Sequence, residues 1–199
     1  MCQLEYNSSV YRRMYAKGVF AMKILVISGS PHKSGSTALL TENFIAGAEE
    51  AGHQVDCFEA SFKSIHPCMA CERCHKTGDG CVFKDDMEEL RPLVLGSDAV
   101  VFVTPVYYFG MNAQLAAAVN RFYAFNDKLL EQDKKAAFIT AFADDEEDSC
   151  TGCVNTYQLM LRYFGWENKG IIAAQGCGCA EDVMKSSYPA QAYRLGKSF

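Results

Sequence analysis

Lys23-Ile-Leu-Val-Ile-Ser-Gly-Ser-Pro-His-Lys-Ser-Gly-Ser-Thr37 is the stretch that decides the fold. Its first six residues form a short apolar run that breaks at Gly29-Ser30-Pro31, as a strand buried on both faces does. Beyond it, Leu40, Phe44 and Ala48 recur every four residues and Gly52 follows. That is the spacing and the glycine stop of a helix over 36–51. Strand, tight loop and helix make the opening unit of a parallel α/β sheet.

The same rhythm runs outward along the chain. Gln54–Glu59, Asp98–Val103, Lys135–Phe142 and Gly170–Gln175 read as four more strands. A helix capped by Asp85 runs through Met87, Leu90 and Leu95, with Pro92 expected to kink or split it. Leu115, Val119, Phe122 and Tyr123 mark another helix after Asn112. Val154, Tyr157, Leu161 and Phe164 mark a third, stopped by Gly165, and 180–197 is helical with a fresh start at Pro189. Five strands alternating with helices predict an α/β three-layer sandwich, helices on both faces of a parallel sheet. Such sheets bind ligands beyond the carboxyl ends of their strands, where the strand order reverses. The chemistry is expected just after strands one, three and four.

The chain's 199 residues are 49% hydrophobic and 22% charged, which suits one domain and excludes disorder. Nineteen basic against 24 acidic residues give a net charge of −5, so there is no electrostatic case for a nucleic-acid partner. No apolar run approaches the roughly 20 residues that would span a bilayer. Arg12, Arg13 and Lys17 before Val19–Met22 imitate the start of a signal peptide, but Lys23 interrupts the run and no small-residue cleavage site follows. A core of this size needs no disulfide staples, so the ten cysteines read as reduced thiols in a cytoplasmic protein. Residues 1–21 read as an extension before a domain at 22–199.

The loop after strand one offers hydroxyls at Ser30, Ser34, Ser36 and Thr37 and free amides at a helix N-terminus, which together suit a phosphate. It has neither the Gly-Lys-Ser/Thr of a Walker loop nor G-x-G-x-x-G. A serine- and glycine-rich turn capped by Ser36 would read the same way. Strand three ends Thr104-Pro-Val-Tyr-Tyr-Phe-Gly-Met-Asn112, a polar and aromatic turn able to hold a flat heterocycle. Packing of Tyr107, Tyr108 and Phe109 under the next helix is the competing use of those rings.

Lys23–Pro31 with Ser36-Thr37, then Thr104–Tyr107 with Gly110-Met111, and the later Gly165-Trp-Glu167 with Gly170, resemble the flavodoxin-like NAD(P)H-dependent FMN reductase family over residues 22–197. The resemblance implies a flavodoxin-like domain over 22–199 with strand order 2-1-3-4-5. It implies FMN, its phosphate held by Ser30, Pro31, Lys33, Ser36 and Thr37. Thr104, Pro105, Val106, Tyr107 and Gly110 would face the ribityl chain and ring, with a third ligand loop near Ala143 and Asp144. His32 stands where relatives often carry arginine, and Asn120 replaces the aspartate of an Asp-Arg pair whose arginine remains as Arg121. By the same resemblance, reduced NADH or NADPH is the co-substrate and flavin, a quinone, or an azo or nitro compound the acceptor. No protein acid or base is required, because the flavin carries the chemistry. A homodimer or tetramer pairing around the flavin is expected.

Residues 60–83 break the alternation and hold Cys68-x2-Cys71-x2-Cys74-x6-Cys81. Four thiols within 14 residues can converge on a cluster or on one metal ion. The spacing resembles the iron–sulfur flavoproteins, a branch of the same fold that carries a [4Fe–4S] cluster beside FMN and exchanges electrons with a ferredoxin-like partner. That resemblance makes Cys68, Cys71, Cys74 and Cys81 the ligands. Cluster-free reductases share a similar loop followed by Asp-Asp-Met, as Asp85-Asp86-Met87 here, so a zinc site and free thiols stay open. Cys150-x2-Cys153 lies at a helix start able to stabilise a thiolate. Cys177 and Cys179 read as loop residues, Cys57 as core and Cys2 as exposed.

Overall fold

A computed structural model describes residues 21–199, so the expected extension and Cys2 lie outside the described residues, save for Ala21. The sheet has the strands β1 (Lys23–Ser28), β2 (Gln54–Glu59), β3 (Ala99–Tyr107), β4 (Gly110–Met111), β5 (Lys135–Ala141) and β6 (Glu167–Ala174). The helices are α1 (Ser36–Glu50), α2 (Arg73–Thr77), α3 (Met87–Gly96), α4 (Ala113–Asn120), α5 (Asn126–Leu130), α6 (Thr151–Phe164), α7 (Ala180–Met184) and α8 (Tyr188–Lys197).

The predicted parallel α/β sheet covered on both faces is present, and its count of five strands is corrected to six. The expected order 2-1-3-4-5 is corrected with it to β2-β1-β3-β5-β6, because the short β4 lies off that path against β3 and takes the fourth place in the chain. Those five strands pair in parallel, whereas β4 is antiparallel to the end of β3. Two residues carry no periodicity, which is why β4 left no signal in the sequence. Strand β3 also runs four residues further than predicted, so Thr104–Tyr107 belongs to the strand rather than to a turn. Pro92 does not split α3. The burial of Met87, Leu90 and Val94 along one face outweighs the hydrogen bond that proline removes.

Alternation along the strands assigns each side chain to a layer. Leu25 and Ile27 of β1, Val100 and Phe102 of β3, and Phe138 of β5 pack with α3, α4 and α6 on one face. Ile24, Val26, Val101, Val103 and Ile139 pack with α1 and α8 on the other. Helix α8 crosses α1 at paired glycines. A Cβ on Gly47 would collide with the Tyr193 carbonyl, and one on Gly196 with the Phe44 carbonyl. The helix that begins at the phosphate-type loop is thereby clamped from behind, backbone against backbone. Gly196→Ala is expected to lower unfolding free energy by about 1–3 kcal/mol, the cost of overpacking, read as a lower urea midpoint at unchanged slope.

Candidate functional site

The carbonyl of Gly29, one residue past β1, joins the two predicted ligand loops. It accepts hydrogen bonds from the side-chain amide of Asn112 and the hydroxyl of Ser61. Asn112 is fully buried. Its backbone N–H donates to the Thr104 hydroxyl at 3.0 Å, and that hydroxyl lies 3.1 Å from Asn112 Oδ1. A Cβ on Gly29 would strike Asn112 Oδ1 and stand 2.8 Å from Leu115 Cβ, so glycine is required by proximity. Sequence reading passed over both Asn112 and Ser61, because a single amide or hydroxyl has no pattern. The one available signal was that Asn112 stands at a helix start.

A cleft of about 490 Å3 opens beside this junction, at the carboxyl ends of β1, β3, β5 and β6, within the size range of small-molecule sites. It brings together Ser30, Ser36 and Thr37 with Pro105, Val106 and Tyr107. The segment after β5 joins at Ala141–Ala143, close to where a third loop was expected. A fourth wall, Cys177–Glu181 after β6, was not foreseen as part of the site. Ser36 ties it in, its hydroxyl donating to the Cys177 carbonyl at 2.8 Å.

Four predicted residues stand apart from the cleft lining. Pro31 is exposed in the turn. The Lys33 ammonium lies 4.8 Å from the centre of the Phe62 ring. Thr104 is fully buried, its hydroxyl committed to Asn112, which makes it a support of the ring loop. Gly110 pairs with Tyr107 in the β3–β4 hairpin. The two-residue tip of that hairpin is Tyr108-Phe109, both left-handed, with φ of 48° and 66°. The rings do not pack under α4. Tyr108 is 98% and Phe109 63% exposed.

The N-terminus of α1 fits a phosphate. Gly35 at the cap provides no side-chain bond, and the first turn holds no acidic residue. Its first amides therefore face the cleft's hydroxyls without an internal anion. His32 lines the mouth and is exposed.

The cysteine loop is anchored at both stems. Arg121, only 2% exposed, donates through Nη1 to Asp85 Oδ2 at 2.6 Å and to the His66 carbonyl at 2.8 Å. Asp85 also accepts the backbone N–H groups of His66 and Met87. The His66 ring stacks on Phe83 at 4.8 Å, and the guanidinium lies over the same ring. Residues 66 and 85, on either side of the four cysteines, are thus held together. Tyr123 adds a second anchor, its hydroxyl on Glu72 and its carbonyl on His75 Nε2. Burial opposes ionisation of Asp85, yet the bonds from Arg121, His66 and Met87 and the Arg121 charge hold its pKa below the usual carboxylate value. Arg121 was noted only as half of a sequence pair. Its carboxylate partner is Asp85, 36 residues upstream, where the sequence has Asn120 beside it.

A family model described as NADPH-dependent FMN reductase matches residues 22–150. The chain belongs to that family. An iron–sulfur flavoprotein of Archaeoglobus fulgidus is 34% identical over 122 residues, 61% of this chain and 55% of its own length. The chain spans about half the length of the curated relatives it matches. A solved NAD(P)H:quinone oxidoreductase from Methanothermobacter marburgensis superposes with TM-score 0.69 at 18% identity, covering 89% of this chain and 96% of that one. An FMN-dependent NADH-azoreductase of Bacillus anthracis, solved with FMN, gives 0.64 at 14% identity, covering 87% and 99%. These two likenesses are of fold.

In this FMN reductase family member, Cys68, Cys71, Cys74 and Cys81 line one cleft with Phe83, Arg121 and Tyr123. Among the described residues, no three His, Cys, Asp or Glu side chains are arranged to hold one metal ion. The free space in the cleft is about 10 Å3, so the sulfurs must spread to admit anything larger than a water. Residues 66–73 are exposed, which leaves room for that movement. Thiolates on one tetrahedral zinc stand roughly 3.8 Å apart, given Zn–S bonds of about 2.3 Å. A cuboidal cluster takes one thiolate per iron corner and spaces them more widely. The donor set in this cleft is all sulfur, which suits a thiolate-bound metal centre once the loop spreads.

The remaining cysteines divide differently than expected. Cys57 is exposed on β2 rather than in the core, because β2 is an edge strand with most side chains accessible. Cys150 and Cys153 are buried free thiols. Burial pushes the Cys153 thiol up to about 11, so the start of α6 does not favour a thiolate there. Among the described residues no helix is long and apolar enough to cross a membrane.

Asp85→Asn is expected to cost about 3–5 kcal/mol at pH 7, because it leaves the buried Arg121 charge unpaired. The Asp85 pKa is depressed by folding, so this contribution is complete above its unfolded value of about 3.9 and disappears as pH falls through the folded value. Urea unfolding of wild type and variant should converge on acidification.

Proposed function

We propose that this chain is an FMN-dependent oxidoreductase that passes electrons from reduced NADH or NADPH to a small acceptor such as flavin, a quinone, or an azo or nitro compound. The observation that carries the proposal is the single cleft uniting the uncapped start of α1 with Pro105–Tyr107, in a chain of the FMN reductase family. FMN bound there would supply hydride chemistry at its N5 atom. The protein's part is to bind and orient. The first amides of α1 and the Thr37 hydroxyl would hold the phosphate, joined by the Ser36 hydroxyl once it turns away from the Cys177 carbonyl. The backbone of Pro105–Tyr107 would hold the flat ring, with Tyr107, 44% exposed, at its outer edge. Asn112 keeps the two loops in register through Gly29 and Thr104. Pairing of two or four copies around this cleft is part of the proposal, supported by the exposed rings of Tyr107, Tyr108 and Phe109, and light scattering should return a dimer or tetramer mass.

The cysteine cleft favours a second reading, in which Cys68, Cys71, Cys74 and Cys81 hold a [4Fe–4S] cluster and the chain relays single electrons to or from a ferredoxin-like partner. Its support is the shared cleft and the relatives named iron–sulfur flavoprotein. Anaerobic purification with flavin, iron and sulfide analysis, followed by mixing with NADH or NADPH, separates the two. Flavin bleaching by a nucleotide is the outcome expected of the reductase; flavin-loaded protein that reacts with neither nucleotide overturns it. About four irons and four sulfides per chain are expected of the cluster, and an iron-free product removes it. Replacing Ser36 and Thr37 together by leucine should weaken FMN binding by at least about tenfold to a hundredfold, the worth of one hydrogen bond to a charged group. Unchanged flavin affinity by fluorescence titration would refute the phosphate assignment.

A further inference from the structure

We infer that Arg121 tunes the cysteine-borne cluster, donating its Nε–H to a cluster or cysteine sulfur and raising the cluster's reduction potential. The inference rests on the iron–sulfur reading. The guanidinium is buried, and its Nη1 is fully committed to Asp85 and the His66 carbonyl. Its Nε is buried without any hydrogen-bond partner. A buried N–H left unpaired is rare and costly, so one that persists points to a partner the protein chain itself does not supply. Arg121 lines the same cleft as the four cysteines. The Phe83 ring lies 5.2 Å from the guanidinium and restricts where it can turn.

The chemistry of the pair is complementary. Four thiolates make a [4Fe–4S] cluster anionic in its oxidised form and more so after it gains one electron. The guanidinium charge is paired with Asp85, so the effect comes from the Nε–H dipole, which binds the reduced form more strongly and raises the potential. The couple transfers one electron from the reductant to the cluster, with no bond made or broken and no proton moved. Arg121 also borders a cleft of about 400 Å3 on the far side of Cys81, walled by Arg91 and Phe125. An anion bound there is the competing partner for Nε, and it would leave the cluster potential insensitive to the side chain at 121.

The test compares anaerobically reconstituted wild type, Arg121→Lys and Asp85→Asn, titrated with dithionite and followed by electron paramagnetic resonance. Lysine keeps the charge and can reach Asp85 but has no Nε–H. Arg121→Lys is expected to shift the oxidised-to-reduced ratio at fixed potential about tenfold towards oxidised, a fall of about 59 mV for a one-electron couple. Asp85→Asn loosens the anchor while keeping Nε and removes a negative charge, so its potential should not fall. An equal fall in both variants would make the role purely structural and overturn the inference, as would no change in Arg121→Lys. If Arg121→Lys takes up no cluster, an Arg73→Lys protein labelled with 15N-arginine decides, since Arg73 adjoins Cys74 and would otherwise contribute its own nitrogens. Pulsed spectroscopy of the reduced cluster should show a coupled arginine nitrogen, and its absence overturns the inference. A wild type that assembles no cluster defeats the iron–sulfur reading and the inference with it. A cluster that forms and shows none of these effects defeats the inference alone.

Discussion

The carbonyl oxygen of Gly29 is the point on which both ligand loops depend. Two side-chain donors meet there, Asn112 from the start of α4 and Ser61 from the entry to the cysteine loop. One backbone acceptor thus couples the phosphate-type loop, the ring-type loop and the cysteine segment. The coupling requires the absence of a side chain at Gly29, because a Cβ would occupy the space Asn112 uses. Thr104 completes the junction from β3. Removing any one of these groups would leave a buried polar partner unmatched, which costs more than the bond contributes when made.

The cysteine loop is fixed by different means. Its stems are joined through a buried ion pair, and such a pair stabilises little by itself once desolvation is counted. What it supplies is geometry, since Arg121 forms well-aligned bonds to Asp85 and the His66 carbonyl only when both stems are in place. Between the stems the chain is accessible, and it adopts left-handed backbone at Ala70 and Glu72. A firm base carrying an adaptable tip suits a segment that must reshape around a ligand without disturbing the sheet.

The fold was readable where burial imposes a period. Strands such as Ile24–Ile27 and Val100–Val103 are continuous apolar runs because both faces of the sheet are covered. The helix faces at Leu40, Phe44 and Ala48 were equally plain. Residues 30, 36, 37 and 105–107 share one cleft because a parallel sheet dictates where the loops after its strands lie. Lys33, implied by the resemblance, lies outside the cleft lining with its ammonium over Phe62, because a charge in a loop says nothing about direction. The resemblance implies Thr104 as a flavin contact, and the sequence carries no sign that its hydroxyl accepts the backbone N–H of Asn112, eight residues on. Pairings such as Arg121 with Asp85 join distant segments through single side chains, and no local pattern records them.

The hairpin tip Tyr108-Phe109 has a consequence of its own. Turns with two left-handed residues are normally given to asparagine and glycine, and two aromatic residues there cost of order 1–2 kcal/mol each. In return, the β3–β4 ladder fixes the backbone, and each ring has only two rotatable side-chain bonds left to order. Whatever flat or apolar surface meets these rings does so with little loss of conformational entropy. The backbone of the tip is fixed in advance by the β3–β4 ladder, and only the ring torsions remain to be ordered.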